Sequence, residues 1–168
     1  MQRTLTLLFS LIVISSFGQE VQKEINEQVW KPFTKAIMNQ DVNAFLAVHS
    51  ADLIRAERND KLVQTLEEYK KGMENSWPRW QERNKKTNTV YVFELRFTER
   101  INNQDRAYEV GYFKNEDTTP DGKKNVYYGK FQVALRKENG VWKILVDSDS
   151  NEGGTITEKD FLAAKPIE

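Results

Sequence analysis

Apolar and polar positions alternate most regularly on either side of Asn139-Gly140, the strongest short signal for a two-residue hairpin turn. With the turn there, Glu138 faces Val141, Leu135 faces Ile144, Val133 faces Val146, and Phe131 lies near Ser148. That register gives one apolar face and one polar face, the latter with Arg136 beside Lys143, Gln132 beside Asp147 and Lys130 beside Asp149. Alternation over 88–100 predicts a second long strand with Tyr91, Phe93, Leu95 and Phe97 on one face. A turn at Asn102-Asn103 pairs Arg100 with Asp105 and Glu99 with Arg106, and so puts Tyr108, Val110 and Tyr112 on the same apolar face. A loop at 115–124 leads to the strand 126–136, where Tyr127 and Gly129 join that face.

Upstream the period changes to that of a helix. Ile25, Val29, Phe33 and Ile37 recur every four residues over 21–39, with Pro32 inside the pattern as a kink or as the start of the ordered part. Asp41 can cap a short helix with Val42, Phe45, Leu46 and Val48 on its apolar side. Residues 53–58 and 61–64 read as short strands around Asn59-Asp60. Thr65-Leu-Glu-Glu68 is a capping box. The helix it opens carries Leu66, Tyr69, Met73, Trp77 and Trp80 along one side, and Pro78 ends or bends it. Helices segregated from a run of long antiparallel strands predict an α+β fold. Its curved sheet would wrap around three helices as a half-open cone.

Residues 1–18 read differently. Arg3 precedes an apolar run from Leu5 to Ile14, and Ser16-Phe17-Gly18 offers small residues for cleavage, so a secretory leader is expected and a mature chain near Gln19. The run is too short to span a membrane. The expectation is therefore a secreted protein, periplasmic or extracellular, with one domain over 19–168 and no membrane contact after the leader is removed. There is no cysteine, so stability rests on packing without disulfides. Acidic and basic residues balance at 25 each. That gives no basic excess of the kind expected of a nucleic-acid partner.

The order of elements resembles the SnoaL-like, NTF2-like superfamily, most closely its DUF4440 type. The resemblance rests on Ala36-Ile-Met-Asn-Gln-Asp-Val-Asn-Ala-Phe45, Ala107-Tyr-Glu-Val-Gly-Tyr112, Gly129-Lys-Phe131 and Gly140-Val-Trp-Lys-Ile-Leu-Val-Asp147. It covers nearly all of 21–152. It implies a cystatin-like roll with a pocket between sheet and helices, and a homodimer through the outer sheet face, for which Ala134 and Leu145 are the candidates. It leaves function open, because isomerases, dehydratases, cyclases, hydrolases and non-catalytic binding domains share the fold.

Several side chains are candidates for chemistry. Tyr91, Tyr108, Tyr112 and Tyr127 would direct hydroxyls into the cone, where an unpaired buried hydroxyl costs ~1–3 kcal/mol. A pocket holding a small molecule satisfies them, and so does an aromatic core with hydroxyls at its rim. Trp77 and Trp80, three apart, would roof the cone beside Tyr69, with Arg55 supplying polarity. His49, the single histidine, with Asp52 could form a base–carboxylate pair, or the imidazole could bond carbonyls left free at a helix end. Strand-end carboxylates act as acids or bases in some members of the superfamily, but the register turns Asp147 and Asp149 outward. A bulge near Ser148 would turn the later one inward. Asp149, Asn151 and Asp160 fall at the first, third and twelfth positions of a calcium loop, whereas the same segment also reads as a glycine turn before a helix capped by Thr157. No organic cofactor is expected, and no phosphate loop or nucleophile motif occurs. Three functions follow: a binder of a small, partly apolar molecule; a cofactor-independent lyase or isomerase; or an interaction module.

Overall fold

The first helix shows how one proline shapes the core. In the computed structural model, which describes residues 18–168, the chain is helical over 18–25, forms a π-helical turn Asn26–Trp30 and continues as Lys31–Asn39; we call this run α1. Pro32 cannot donate a backbone hydrogen bond and crowds the carbonyl four residues back, and a π turn relieves both. The extra residue advances the helical phase. Val29 and Trp30 are therefore both fully buried, and Trp30 joins Ile25, Phe33 and Ala36 in the core. The expected leader lies, apart from Gly18, outside the described residues. None of the described helices is long and apolar enough to cross a membrane.

Gln40 takes a left-handed conformation and ends α1, and Asp41 caps α2 (Val42–Ala47) by accepting from Ala44 N. Strands β1 (His49–Glu57) and β2 (Leu62–Gln64) form the expected short hairpin. The capping box Thr65–Glu68 opens α3 (Leu66–Thr87), which continues past Pro78 to its cap at Asn88. Pro78 therefore does not end the helix. Gln81, Glu82, Arg83, Lys85 and Lys86 beyond it are good helix formers, which carry the helix on.

Strands β3 (Val90–Asn102), β4 (Arg106–Thr118), β5 (Lys124–Glu138) and β6 (Val141–Ser150) follow. A short helix, α4 (Glu158–Ala163), and an edge strand, β7 (Lys165–Pro166), close the chain. The seven strands lie in the order β2-β1-β6-β5-β4-β3-β7. All pairs are antiparallel except β1–β6, which is parallel. Asn139 and Gly140 have φ of 50° and 82°, the paired left-handed geometry of a tight hairpin. The register starts as expected, with Glu138 opposite Val141 and Leu135 opposite Ile144.

Two registers then depart from the expected ones. Leu145 is a bulge: Ala134 pairs with Val146 and Val133 with Asp147. The β3–β4 connection sits at Asn103–Asp105, and Asn102 pairs with Ala107. The second pairing moves by four residues, Arg100 facing Glu109 instead of Asp105, which alone would keep the facing. It is the extra residue in each case, Leu145 in β6 and Thr98 between Phe97 and Glu99 in β3, that inverts the side chains beyond it. On β4 the inner face is accordingly Ala107, Glu109, Gly111, Phe113 and Asn115, while Tyr108 and Tyr112 point outward. Buried Glu109 is matched by Arg100 Nε at 2.8 Å and by Trp30 Nε1 at 2.5 Å. The π turn of α1 thus supplies the donor that lets a carboxylate occupy the inner face. Burial raises the pKa of Glu109, against the pull of Arg100 and Trp30. Bulges in β1, β3 and β6 bend the sheet into its cone.

Candidate functional site

The helices close one side of the cone and leave a cavity of about 530 Å³. Its sheet wall carries Tyr91 and Phe93 from β3, Phe113 and Asn115 from β4, Tyr127 and Phe131 from β5, and Asp147 and Asp149 from β6. The helices add Phe33, Ile37, Phe45, Tyr69, Met73, Trp77 and Trp80. Trp80 meets Tyr91 edge to face at 4.5 Å, and Trp77 packs on Phe45 at 5.2 Å. The Tyr91 hydroxyl donates to Asn115 Oδ1, so it is satisfied within the protein. Burial raises its pKa, as it does that of Tyr69.

Two glycines keep this space open. At Gly129 an added Cβ would lie 2.0 Å from the Phe113 ring, so the absent side chain lets that ring lie against β5. Gly72 sits in the middle of α3 at the cavity mouth, and an added Cβ would meet nothing within 4 Å. A helix-interior glycine costs about 1 kcal/mol relative to alanine, with no close packing to account for it here.

The polar end is built by the bulge at Leu145. It turns Asp147 and Asp149 inward, opposite to the outward facing read from the hairpin, and three residues before the bulge considered near Ser148. Arg55 of β1 lies behind them. Its Nη2 donates to Asp149 Oδ2 at 2.6 Å, its Nε stands 3.8 Å from Asp147 Oδ2, and its Nη1 reaches the backbone oxygens of Ala56 and Asp147. His49 Nδ1–H donates to Phe45 O at 2.8 Å, and Nε2 faces Asp147 Oδ2 at 3.7 Å. Two carboxylates thus share one guanidinium, and their protonation diverges. Burial pushes Asp147 up, but the Arg55 charge and His49 outweigh it and hold the group below its ordinary value. Burial and the Asp147 charge, against the pull of Arg55, push the Asp149 carboxyl up to about 6. A carboxyl poised there can hold or release a proton near neutral pH.

Of the residues singled out in the sequence, Tyr69, Trp77, Trp80, Tyr91 and Tyr127 line the cavity. Arg55 stands behind its wall. Tyr108 and Tyr112 do not reach it, because the phase of β4 is inverted; Tyr108 is 41% exposed. The pair of His49 with Asp52 does not form. Asp52 faces solvent and bonds Arg136 at 2.8 Å, and His49 turns to Phe45 O and Asp147. Asp149, Asn151 and Asp160 do not converge. Asp149 is held by Arg55, Asn151 accepts from Gly153 N, and Asp160 bonds Thr157 in the capping box of α4. Among the described residues no three metal-ligating side chains cluster. Sequence reasoning missed Asp147 and Asp149 as cavity carboxylates, and also Phe113, Asn115, Glu57 and Gly72. The isolated glycine inside a helical pattern was the one local signal available.

This geometry, a curved sheet closed by helices over a cavity, defines the class: the chain has the NTF2-like α+β cone fold. Solved structures share it. Aln2 from a Streptomyces species superposes with a TM-score of 0.64 at 15% identity, covering 78% of this chain and 90% of that one. An NTF2-like protein of unknown function from Pseudomonas putida gives 0.58 at 13% identity, over 79% and 87%. A ketosteroid isomerase-like protein from Erwinia carotovora gives 0.56 at 15%, over 75% and 92%. No family model matches the chain, the DUF4440 type included, and no curated protein matches it.

Proposed function

We propose that this domain binds a small organic molecule with a largely apolar body inside the cone, where Asp149 meets the polar part of the molecule. The observation that carries this reading is the aromatic-walled cavity of about 530 Å³, which ends in inward-facing carboxylates. Apolar concavities with a few convergent polar groups are the usual form of such sites. Gly72→Leu tests it by filling the mouth while improving the helix. Titration with the neutral dye Nile red is expected to give saturable single-site fluorescence in the wild type. In Gly72→Leu that signal is lost, although the melting temperature is unchanged or higher. Equal dye binding by both proteins, or none by the wild type, overturns the reading.

A second reading, a cofactor-independent lyase or isomerase, draws support from the Asp149 carboxyl beside Arg55. In it Asp149 transfers the proton, in place of the His49–Asp52 pair.

The domain is further proposed to act outside the cytoplasm after loss of residues 1–18, as a dimer joined through the outer sheet face around Ala134 and Leu145. Part of that face is already occupied. Phe161 of α4 lies 5.7 Å from Tyr128, with Arg96 above its ring at 5.0 Å. A dimer contact therefore falls to the β5–β6 side. Native mass spectrometry on protein taken from its host is expected to give dimers of chains starting near Gln19, and Leu145→Asp to give monomers. Full-length monomeric chains would refute both statements.

A further inference from the structure

We propose that the molecule the cone admits is an organic cation, an amine or quaternary ammonium carried on an apolar body. This rests on the reading that the cone is a binding site, and it names the class of ligand. The lining contains three carboxylates, Glu57, Asp147 and Asp149, and no lysine, arginine or histidine. Arg55, the cation behind the wall, is already engaged by Asp149 and by two backbone oxygens.

Asp147 carries the argument further. It is 6% exposed and lines the cavity. No hydrogen bond shorter than 3.5 Å reaches its carboxylate among the described residues, since His49 Nε2 and Arg55 Nε stand off at 3.7 and 3.8 Å. Arg55 and His49 keep this carboxylate ionised from a distance without closing a short hydrogen bond on it, so its negative charge stays open to a cationic head group entering the cavity. An anion would meet three carboxylates, and a neutral head group would leave the excess negative charge uncompensated.

The aromatic part of the lining suits the same chemistry. Trp77, Trp80, Tyr91, Phe113 and Tyr127 present aromatic rings to the cavity, with Phe113 and Tyr127 6.0 Å apart. Aromatic faces attract cations, and arrays of them recognise ammonium groups. Carboxylates and aromatic rings lining one cavity make a site for a positively charged group with a hydrocarbon body.

Three probes with one body separate the alternatives: 4-phenylbutylamine, 4-phenylbutan-1-ol and 4-phenylbutyrate, titrated calorimetrically into the whole protein at pH 7.5. The amine is expected to bind at least tenfold more tightly than the alcohol, and the carboxylate more weakly than either. Glu57→Gln and Asp149→Asn, each checked for folding by its melting curve, are expected to narrow the gap between amine and alcohol. Alcohol or carboxylate binding as tightly as the amine would overturn the cation assignment while leaving the cone as a binding site. Failure of all three to bind would overturn both.

Discussion

Gly111→Ala is expected to lower the melting temperature by about 10 °C, the largest effect of any single methyl group in this protein. Gly111 lies on the inner face of β4, opposite Phe97 on β3 and Phe131 on β5. An added Cβ would sit 2.1 Å from Arg96 O and 2.6 Å from the tip of the Phe131 ring. Ordinary contact between such atoms is about 3.5 Å. Neither neighbour can yield. The carbonyl belongs to the backbone of β3, and Phe131 is wedged between Trp30 and Phe97 with ring centroids 5.5 Å away on each side. Overpacking a tight core costs about 1–3 kcal/mol, and a backbone clash puts this substitution at the top of that range. A domain of this size loses roughly 2–4 °C per kcal/mol. Gly129→Ala makes the informative contrast. Its nearest neighbour is the end of the Phe113 ring, which can swing into the cavity, so a smaller loss is expected. Thermal melts of the two variants side by side check the comparison. A Gly111→Ala protein as stable as the wild type would mean that the β3–β4 register differs from the one described.

Asp149→Asn is expected to raise stability at pH 7.5 even though it removes one partner of an ion pair. The folded-state pKa of Asp149, about 6, lies above the ordinary 3.8. Between those values the native protein binds the proton and the unfolded chain does not, so stability falls as pH rises from about 4 to 6 and then stays reduced. Asparagine cannot ionise and escapes that loss. A carboxyl at about 6 instead of 3.8 corresponds to about 3 kcal/mol. Part is given back because Arg55 loses its 2.6 Å contact, although Asp147 still faces it. A net gain of about 1–2 kcal/mol is the expectation, vanishing near pH 4. Chemical denaturation of both proteins at pH 4 and 7.5 measures it. If the wild type is the more stable at pH 7.5, the ion pair outweighs the burial cost and the carboxyl is not raised. A destabilised charged group in a cavity is what a site kept for binding or proton transfer entails.

How legible the molecule was in its sequence varies with the range of the forces involved. Both capping boxes, at Thr65 and Thr157, were written within four residues, and both form. The Asn139-Gly140 turn fixed the first pairs of its hairpin. The stripe Tyr69, Met73, Trp77, Trp80 faced inward as its spacing required. The failures share one cause. On β4 the aromatic residues Tyr108 and Tyr112 suggested the wrong inner face, because alternation cannot distinguish an apolar wall from one made of alanine, glycine and a paired glutamate. What made Glu109 an inner residue was Arg100 on the neighbouring strand and Trp30, delivered by a π turn almost eighty residues earlier.

The catalytic candidates moved for the same reason. His49 and Asp52 are close in sequence, but alternation along β1 sends them to opposite sides, whereas Asp147 meets His49 across the parallel pairing of β1 with β6. The sequence by itself determined the elements, their caps and turns, and the aromatic content of the core, because these follow from contacts within a few residues of chain. Only the tertiary structure decided which carboxylates face the cavity. A single bulge at Leu145 reverses every residue beyond it, and whether a strand bulges depends on the two strands that flank it and on the closure of the cone.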